Sequence, residues 1–288
     1  MKQIIISLFA AAVLLTAGCT TVSDTQDADG KNKGNSAVEG KVQEKKTVYV
    51  ANVVRETSFF NDGYIKSYTS YSYDEDMNIV REDMFDSFDQ ILESAVYEYS
   101  ESGIESRLLY NNRGALQSSK KTIRTAEGQP LSESSYDAEG TLQTVSSYEY
   151  DVDGKKIRWT VADGVGIILS ETLYLYDGGL PVSIELNDAG GKMQELFSLE
   201  YKAGLLVRKN HLDADGKIIS GIQYEYDGRN LISEKYLRPN GSTHRTVLFT
   251  NDERGNPVKE EFFDGNGDLK DWIERKYEYT TEEILVWE

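Results

Sequence analysis

The chain has 288 residues, of which 39% are hydrophobic and 28% are charged, enough for one large domain or two ordinary ones. Acidic residues outnumber basic ones by 49 to 31, and the net charge of −18 disfavours nucleic acid as a partner, because binding it needs a basic face. One cysteine excludes an internal disulfide and a multi-cysteine zinc site, and two histidines leave little for histidine-based catalysis.

The chain begins with a short secretion signal. Lys2 is followed by an apolar run from Ile4 to Leu15, which is too short to cross a bilayer core of ~30 Å. The run ends in Leu15-Thr16-Ala17-Gly18-Cys19, which resembles the lipobox of bacterial lipoproteins. Residues 1–18 are therefore predicted to be a lipoprotein signal peptide.

The lipobox resemblance implies a modified cysteine. It implies cleavage between Gly18 and Cys19 and acylation of Cys19, although this family prefers an aliphatic residue where Thr16 stands. Three acyl chains exceed what stable membrane attachment needs. By the same resemblance, Thr20 after the cysteine favours the outer membrane. We expect the membrane to be a partner through this anchor.

Residues 19–47 are predicted to be a flexible tether. They lack aromatic residues and are dominated by Gly, Asn, Ser, Asp and Lys, so they cannot bury enough apolar area to offset the entropy of ordering. Their acidic and basic residues balance. The negative charge of the mature chain therefore belongs to residues 48–288, the predicted folded domain.

An internal repeat of 25 or 26 residues runs through residues 48–288. An apolar residue before a turn recurs at Phe60, Phe85, Tyr110, Tyr136, Val161, Leu186, Leu212, Leu237 and Phe263. A second series is interleaved at Tyr73, Tyr99, Tyr150, Tyr176, Tyr201 and Tyr226, with one member lost near Arg124. Its register loosens after Phe249 and recovers at Tyr279. The chain thus turns every 12 or 13 residues, and two turns make one repeat.

The segments between turns have the pattern of half-buried strands. Ile222, Tyr224 and Tyr226 fall on one face of such a segment, with Gln223 and Glu225 on the other. Short Asp/Asn/Gly turns then join the strands into antiparallel hairpins. A short helix over 82–94 is the alternative in that region.

We predict an all-β fold: an elongated antiparallel array of about 19 strands in an up-and-down meander, twisted or spiralling, because open sheets rarely exceed ~10 strands without curling. The two residue series should form two rows, one along each edge of the sheet. Each row should pack against aliphatic residues, as in the pairs Tyr226–Leu231, Tyr176–Leu180 and Leu212–Ile218. The alternative for the tyrosines is a sugar-binding platform. A membrane barrel is the alternative architecture, but the strand 120–125 lacks the apolar band that lipid requires.

The repeat resembles the YD (Rhs-type) repeats of bacterial cell-surface proteins. The stretches that carry the resemblance are Tyr148–Gly154, Tyr174–Asp177 and Tyr224–Gly228, although several copies lack the Asp. Phe262–Gly267 and Tyr236–Gly241 resemble MORN-variant repeats instead. Both resemblances imply hairpin repeats used as scaffolds or shells, with chemistry carried by attached domains. Because the chain is still in the repeat pattern at its last residue, we expect no toxin domain.

The acidic turns are the candidate metal sites. The stretch 264–268 begins like an EF-hand loop, but Leu269 stands where the sharp turn needs Gly, and Arg275 stands where the bidentate Glu belongs. The turns Asp151–Gly154 and Asp213–Gly216 are too short for such a loop. We expect these carboxylates to cap hairpin turns as Asx turns, with weak calcium binding as the alternative. No cofactor is predicted.

The remaining polar candidates lack a companion motif, and we assign them structural roles. They are His211, His244, Glu260, Glu261, Arg254 and Arg275. The histidines are expected on the surface of strands, the glutamates on opposite faces of one strand, and the arginines in pairs with nearby acids. No catalytic residues are therefore predicted.

These observations favour a lipid-anchored, non-catalytic lipoprotein of the cell envelope, anchored through Cys19. Its repeats would serve as a scaffold or as a binding surface for a protein or a glycan. Two alternatives stay open: a shell fragment or immunity partner of an Rhs-type toxin system, and a polysaccharide-active enzyme.

Overall fold

The computed structural model describes residues 43–99 and 104–287. Within these ranges the chain consists of strands and turns, and no helix there is long and apolar enough to cross a membrane. The predicted signal peptide, the cleavage site at Gly18 and Cys19 and most of the tether lie outside the described residues. The first strand begins at Gln43, so residues 43–47, which we predicted as tether, belong to the sheet.

Eighteen strands follow one another along the chain. Their bounds are Gln43–Phe60 (β1), Ile65–Tyr73 (β2), Ile79–Asp86 (β3), Ile91–Tyr99 (β4), Ile104–Asn111 (β5), Leu116–Arg124 (β6), Pro130–Asp137 (β7), Leu142–Tyr150 (β8), Lys156–Asp163 (β9), Ile168–Asp177 (β10), Leu180–Asp188 (β11), Met193–Lys202 (β12), Leu205–Asp213 (β13), Ile218–Asp227 (β14), Asn230–Leu237 (β15), Thr243–Asn251 (β16), Pro257–Asp264 (β17) and Leu269–Trp287 (β18). Residues 82–94 lie in β3, β4 and their connecting turn, so the helical alternative there is wrong.

Most of the turns share one geometry. The Asp213 carboxylate accepts hydrogen bonds from the backbone N–H groups of Asp215 and Lys217, at 3.1 and 2.9 Å. Gly216 has a φ of 78°, a conformation that glycine adopts without strain, and its N–H donates to the Asp213 carbonyl. Equivalent turns begin at Asp74, Asp86, Asn111, Asp151, Asp163, Asp188, Asp252 and Asp264. The Asx-turn interpretation of the acidic turns is confirmed.

The meander closes into a barrel. Each strand pairs with its neighbours in sequence, and β1 pairs with both β2 and β18. The closing ladder runs from Phe60 opposite Asp271 to Gln43 opposite Trp287. The predicted open, spiralling array is therefore wrong. An open array leaves unpaired N–H and C=O groups along two edge strands, and closure satisfies both edges at once.

The strand register sets the tilt of the barrel. Tyr148 lies opposite Trp159, and Trp159 lies opposite Thr172, two residues before Tyr174, which is the repeat equivalent of Tyr148. Each of the nine hairpins displaces the pairing by the same two residues along the strand. One full circuit of the barrel therefore displaces it by nine times two, or 18, residues, and this shear number equals the number of strands. This ratio of shear to strand number gives a tilt of about 36°. A circular barrel with these values is roughly 35 Å across, wide enough to enclose a lumen.

Two rings of side chains mark the two rims of the barrel. The outer ring lies on the outer face where the odd-numbered strands end, and its pairs are Phe59–Ile65, Phe85–Ile91, Tyr110–Leu116, Tyr136–Leu142, Ala162–Ile168, Asn187–Met193, Leu212–Ile218, Leu237–Thr243 and Phe263–Leu269. The inner ring lies on the inner face at the opposite rim, and its members are Tyr73, Tyr99, Arg124, Tyr150, Tyr176, Tyr201, Tyr226, Asn251 and Tyr277. The predicted rows at two edges are confirmed, but they lie on opposite faces of the sheet.

Several ring positions differ from the predicted series. The outer ring contains Phe59, Ala162 and Asn187 in place of their neighbours Phe60, Val161 and Leu186. A shift of one residue matters because it moves the side chain to the other face of the sheet. In the inner ring, Asn251 fills the position where the predicted register loosens, and Tyr277, rather than Tyr279, is the next member. The predicted partner Leu231 does lie opposite Tyr226, whereas Tyr176 lies opposite Pro181 rather than Leu180.

Candidate functional site

The inner ring is fastened to the backbone of the sheet. The Tyr226 hydroxyl donates to the Leu206 carbonyl at 2.9 Å, twenty residues earlier in the chain. The same bond at the same separation joins Tyr73 to Val53, Tyr99 to Ile79, Tyr150 to Pro130, Tyr176 to Lys156 and Tyr277 to Pro257. Most of these tyrosines are half-buried, and burial raises the pKa of the Tyr226 phenol. The inner-ring tyrosines are therefore primarily structural.

Three inner-ring positions depart from this pattern. Asn251 replaces the tyrosine and donates from Nδ2 to the Leu231 carbonyl at 2.9 Å. Arg124 forms an ion pair with Glu105 and donates to the Gly128 carbonyl. Tyr201 keeps the ring, but its buried hydroxyl has no hydrogen-bond partner among the described residues. This unpartnered hydroxyl is a weak point of the ring.

Ion pairs cover much of the inner wall between β17 and β7. Arg275 bonds to Glu56 at 2.8 Å and also to Glu260, and Arg124 bonds to Glu105. The predicted pairing of Arg275 with nearby acids is confirmed. Glu261 lies on the outer face, 2.9 Å from Lys259, so the two adjacent glutamates do point to opposite faces.

Arg254 behaves differently from the prediction. Its guanidinium lies over the rings of Tyr49 and Tyr279, 4.6 and 4.7 Å from their centroids. No carboxylate of the described residues lies within 4 Å of this guanidinium. Cation–π contacts with the two tyrosines replace the expected pairing with an acid.

The two histidines lie in different environments. His244 is exposed, as predicted for a surface residue of a strand. His211 is half-buried on the inner face, stacked on Phe197 at 4.5 Å, with Nε2 3.2 Å from a Glu195 carboxylate oxygen. The prediction of a surface position is therefore wrong for His211. Side chains two residues apart on a strand point to the same face of the sheet, so His211 points inward as Lys209 does.

A cavity of about 200 Å³ lies on the inner wall between β9 and β14. Its lining residues all belong to the inner face, and they are Lys156, Tyr174, Tyr176, Pro181, Ile184, Leu199, Leu206, Lys209 and Tyr224. The strands supply these side chains from alternate positions, because every second residue of a strand points inward. The result is an apolar floor of aliphatic residues, flanked by tyrosine rings and by two lysines.

The two lysines of the cavity are held without carboxylate partners. Neither ammonium group lies within 4 Å of a carboxylate in the described part of the chain. Lys209 Nζ lies 4.4 Å from the Phe197 ring centroid, and Lys156 Nζ lies 4.9 Å from that of Tyr148. Burial lowers the pKa of both lysines, although Glu234 opposes the effect at Lys209. The cavity thus holds two cations that the aromatic faces only partly compensate.

The tyrosines around the cavity are neutral hydrogen-bonding groups. Burial raises the pKa of Tyr148 to about 12, and burial also raises that of Tyr174. The pKa of Tyr224 is raised by burial and then by Glu234, which lies opposite it on β15. These phenols stay protonated at neutral pH and can donate hydrogen bonds to a bound molecule.

Sequence reasoning did not single out Lys156 and Lys209. A lysine in a strand is usually solvent-exposed, so composition gave no signal for either residue. Their positions in the strand alternation did give a signal. Lys209 lies two residues from His211 on the same face of β13, and Lys156 lies opposite the inner-ring Tyr150. The acidic turns, for which weak calcium binding was the alternative to Asx turns, bring no such cluster together, and the described residues contain no group of three or more metal-ligating side chains.

The outer face between the rings is mainly polar. It carries ion pairs at mid-strand, such as Arg81 with Asp83 at 2.7 Å and Lys235 with Glu225 at 2.5 Å. Apolar side chains are interspersed there among polar ones, and one of them, Leu175, is 62% exposed. This pattern differs from the continuous apolar band of a lipid-facing strand.

No model of a known protein family matches the chain, and no curated protein is similar to it. Among solved structures, a porin-like protein from Bacteroides uniformis is 10% identical, with 78% of this chain and 98% of that chain covered and a TM-score of 0.45. A porin-like protein from Bacteroides vulgatus is 14% identical, with the same coverage and a TM-score of 0.33. The TcdB2-TccC3 structure is 14% identical over 78% of this chain and 15% of its own, with a TM-score of 0.27. At these scores the similarities define neither a family nor a function.

Proposed function

We propose that this protein is a lipid-anchored, non-catalytic lipoprotein of the bacterial cell envelope whose barrel is a binding scaffold for a ligand held at its inner wall. The observation that carries the proposal is the cavity between β9 and β14, where apolar, aromatic and cationic side chains converge on one space. Two of the inner-ring tyrosines at this wall, Tyr176 and Tyr226, are bonded to the backbone of the sheet and restrain it on either side of the cavity. A restrained wall with a lined cavity favours binding.

The proposed environment of the barrel is aqueous on both faces. Charged pairs such as Arg81–Asp83 stand at mid-strand on the outer face, where an Arg or Lys facing the lipid midplane costs about 2–4 kcal/mol. Attachment to the membrane is instead assigned to Cys19. The paired ends of β1 and β18 extend beyond the inner-ring rim, so the chain enters the barrel on that side.

The anchor is tested by metabolic labelling with palmitate. Cys19→Ala should lose the label and move from the membrane fraction to the soluble fraction, whereas Thr20→Ala should keep both properties. Labelling of the Cys19→Ala protein would contradict the anchor.

The binding role is tested by filling the cavity. Full-length protein in detergent is immobilised and exposed to an envelope extract, and the retained proteins and glycans are identified. Ile184→Trp places a large ring in the cavity, and Leu175→Trp places the same ring on the outer face of the neighbouring strand. We expect Ile184→Trp to lose retained material that wild type and Leu175→Trp both keep. Equal retention by the two variants would contradict binding at the inner wall.

The toxin-system and polysaccharide-enzyme alternatives rest on the sequence resemblance and on composition alone. They stay predictions.

A further inference from the structure

We propose that the cavity between β9 and β14 binds an organic anion with an apolar body, with the anionic head held by Lys156 and Lys209. This inference rests on the proposed function, because it names the ligand class of the same site. The ligand chemistry is that of an alkyl carboxylate or an alkyl phosphate.

The charge of the head follows from what surrounds the two lysines. Several inner-wall cations, among them Arg275, Arg124 and Lys120, have a carboxylate within ion-pairing distance. Arg245 also has aromatic rings rather than a carboxylate beside it, but it does not line the cavity. Lys156 and Lys209 face the cavity with aromatic rings beside their ammonium groups, and no carboxylate of the described residues lies within 4 Å of either one. Glu234 acts on Lys209 only from a longer distance. A half-buried cation without a counter-ion is unfavourable, and an anion entering the cavity would supply the missing partner.

The rest of the lining determines the body of the ligand. Pro181, Ile184, Leu199 and Leu206 form the floor, and they offer no side-chain hydrogen-bond donor or acceptor. The Tyr176 hydroxyl is already used by the Lys156 carbonyl. A sugar ring would leave several hydroxyl groups unpaired against this floor, whereas an alkyl chain would bury apolar surface there. The lining therefore favours an anion with an alkyl body over a saccharide.

The positions of the two lysines also limit the orientation. Lys156 reaches the cavity from β9 and Lys209 from β13, and the strands between them supply most of the aliphatic floor, with Leu206 on β13 itself. The head of the ligand is thus placed between the two cations, and its chain lies along Ile184 and Leu199. Loss of one lysine should weaken binding, and loss of both should abolish it.

The test is isothermal titration calorimetry of the full-length protein with four eight-carbon probes. Octanoate and octyl phosphate carry anionic heads, octanol is neutral, and octyltrimethylammonium is cationic. We expect at least one anionic probe to bind at least about tenfold more tightly than octanol, and the cation not to bind. The tighter of the two anionic probes identifies the head group. Equal affinity for octanol and both anions would overturn the proposal. This comparison of probes uses the wild-type protein alone.

Substitutions of the two lysines then test whether they bind the anionic head of the probe. Lys209→Met and Lys156→Met should each weaken the anion by about tenfold, Lys209→Arg should retain binding, and the exposed Lys217→Met should leave it unchanged. Unchanged binding in the double Met variant would refute the assignment. If the anionic probes fail to bind while Ile184→Trp still abolishes retention of envelope material, the inner-wall function stands and the anion assignment falls.

Discussion

The Tyr226 hydroxyl donates a hydrogen bond of 2.9 Å to the carbonyl oxygen of Leu206 at the point where the ladder between β13 and β14 has stopped. The ladder ends at the pair Arg208 and Gln223, and Leu206 lies two residues before Arg208 in the chain, beyond that last pair. A side-chain hydroxyl thus continues the bonding of the sheet after its backbone pairs end. The five equivalent tyrosines do the same around the rim.

This relationship predicts a difference between two equivalent tyrosines. Tyr226→Phe removes a hydrogen bond and should lower the free energy of unfolding by about 1 kcal/mol. Tyr201→Phe should leave it unchanged or raise it slightly, because the buried Tyr201 hydroxyl has no partner among the described residues. Urea unfolding monitored by tyrosine fluorescence and circular dichroism measures both. Equal losses for the two variants would show that the hydroxyl bond is not what stabilises the rim.

A second prediction concerns Arg275 on the inner wall. Arg275→Met would leave the carboxylates of Glu56 and Glu260 half-buried without their counter-ion, and it should cost about 3 kcal/mol. The control is Arg81→Met on the outer face, where the arginine is 46% exposed and the loss should stay below about 1 kcal/mol. Chemical unfolding at pH 7 compares them, and similar losses would contradict the inward placement of Arg275.

A third prediction uses the pH dependence of Lys209. Burial lowers its pKa below the usual 10.5, with Glu234 opposing, so holding the ammonium in the folded state is unfavourable at neutral pH. This penalty is fully present below the lowered pKa and fades as pH rises towards 10.5. Lys209→Met should therefore raise the unfolding midpoint at pH 7, and the gain should shrink as pH approaches 10.5.

The Lys209 experiment has a matched control. Lys217 is an exposed turn residue, and Lys217→Met should change the midpoint little at any pH. A gain for Lys209→Met that stays constant between pH 7 and 10.5 would mean that packing, rather than charge, explains it.

A fourth prediction concerns the Asx turns. The Asp151 carboxylate accepts from the backbone N–H groups of Asp153 and Lys155, at 3.0 and 2.8 Å. Asp151→Ala removes both bonds and should cost about 1–2 kcal/mol, whereas Asp151→Asn keeps an acceptor oxygen and should lose less than half of that. If Asn proves as damaging as Ala in thermal unfolding, the charge of Asp151 matters more than its turn bonds.

The local features of this fold could be predicted from the sequence because each hairpin carries its own signals. The 25-residue repeat, the strands and the turns depend on short-range patterns such as Asp213–Gly216. Errors of one residue arose where hydrophobicity and turn chemistry disagree. Val161 is the more hydrophobic residue, but counting back from the turn at Asp163 places Ala162 in the outer ring.

The closure of the barrel and the cavity could not be predicted in this way. Closure depends on the pairing of β1 with β18, more than 200 residues apart, and no local pattern distinguishes those strands from two open edges. The cavity depends on which face closes inward. Lys156 on β9 and Lys209 on β13 are four strands apart, and the curvature of the sheet brings them to one space.

Hydrogen exchange at the seam between β1 and β18 tests the closed barrel most directly. Backbone amides of residues 55–60 and 271–276, followed by exchange and mass spectrometry on the full-length protein, should be protected as strongly as those of β8 and β9, which lie far from the seam. In an open array these two segments would each be an edge strand, with every second amide unpaired. Protection clearly lower in both segments than in β8 and β9 would contradict the closed barrel and the inner wall that depends on it.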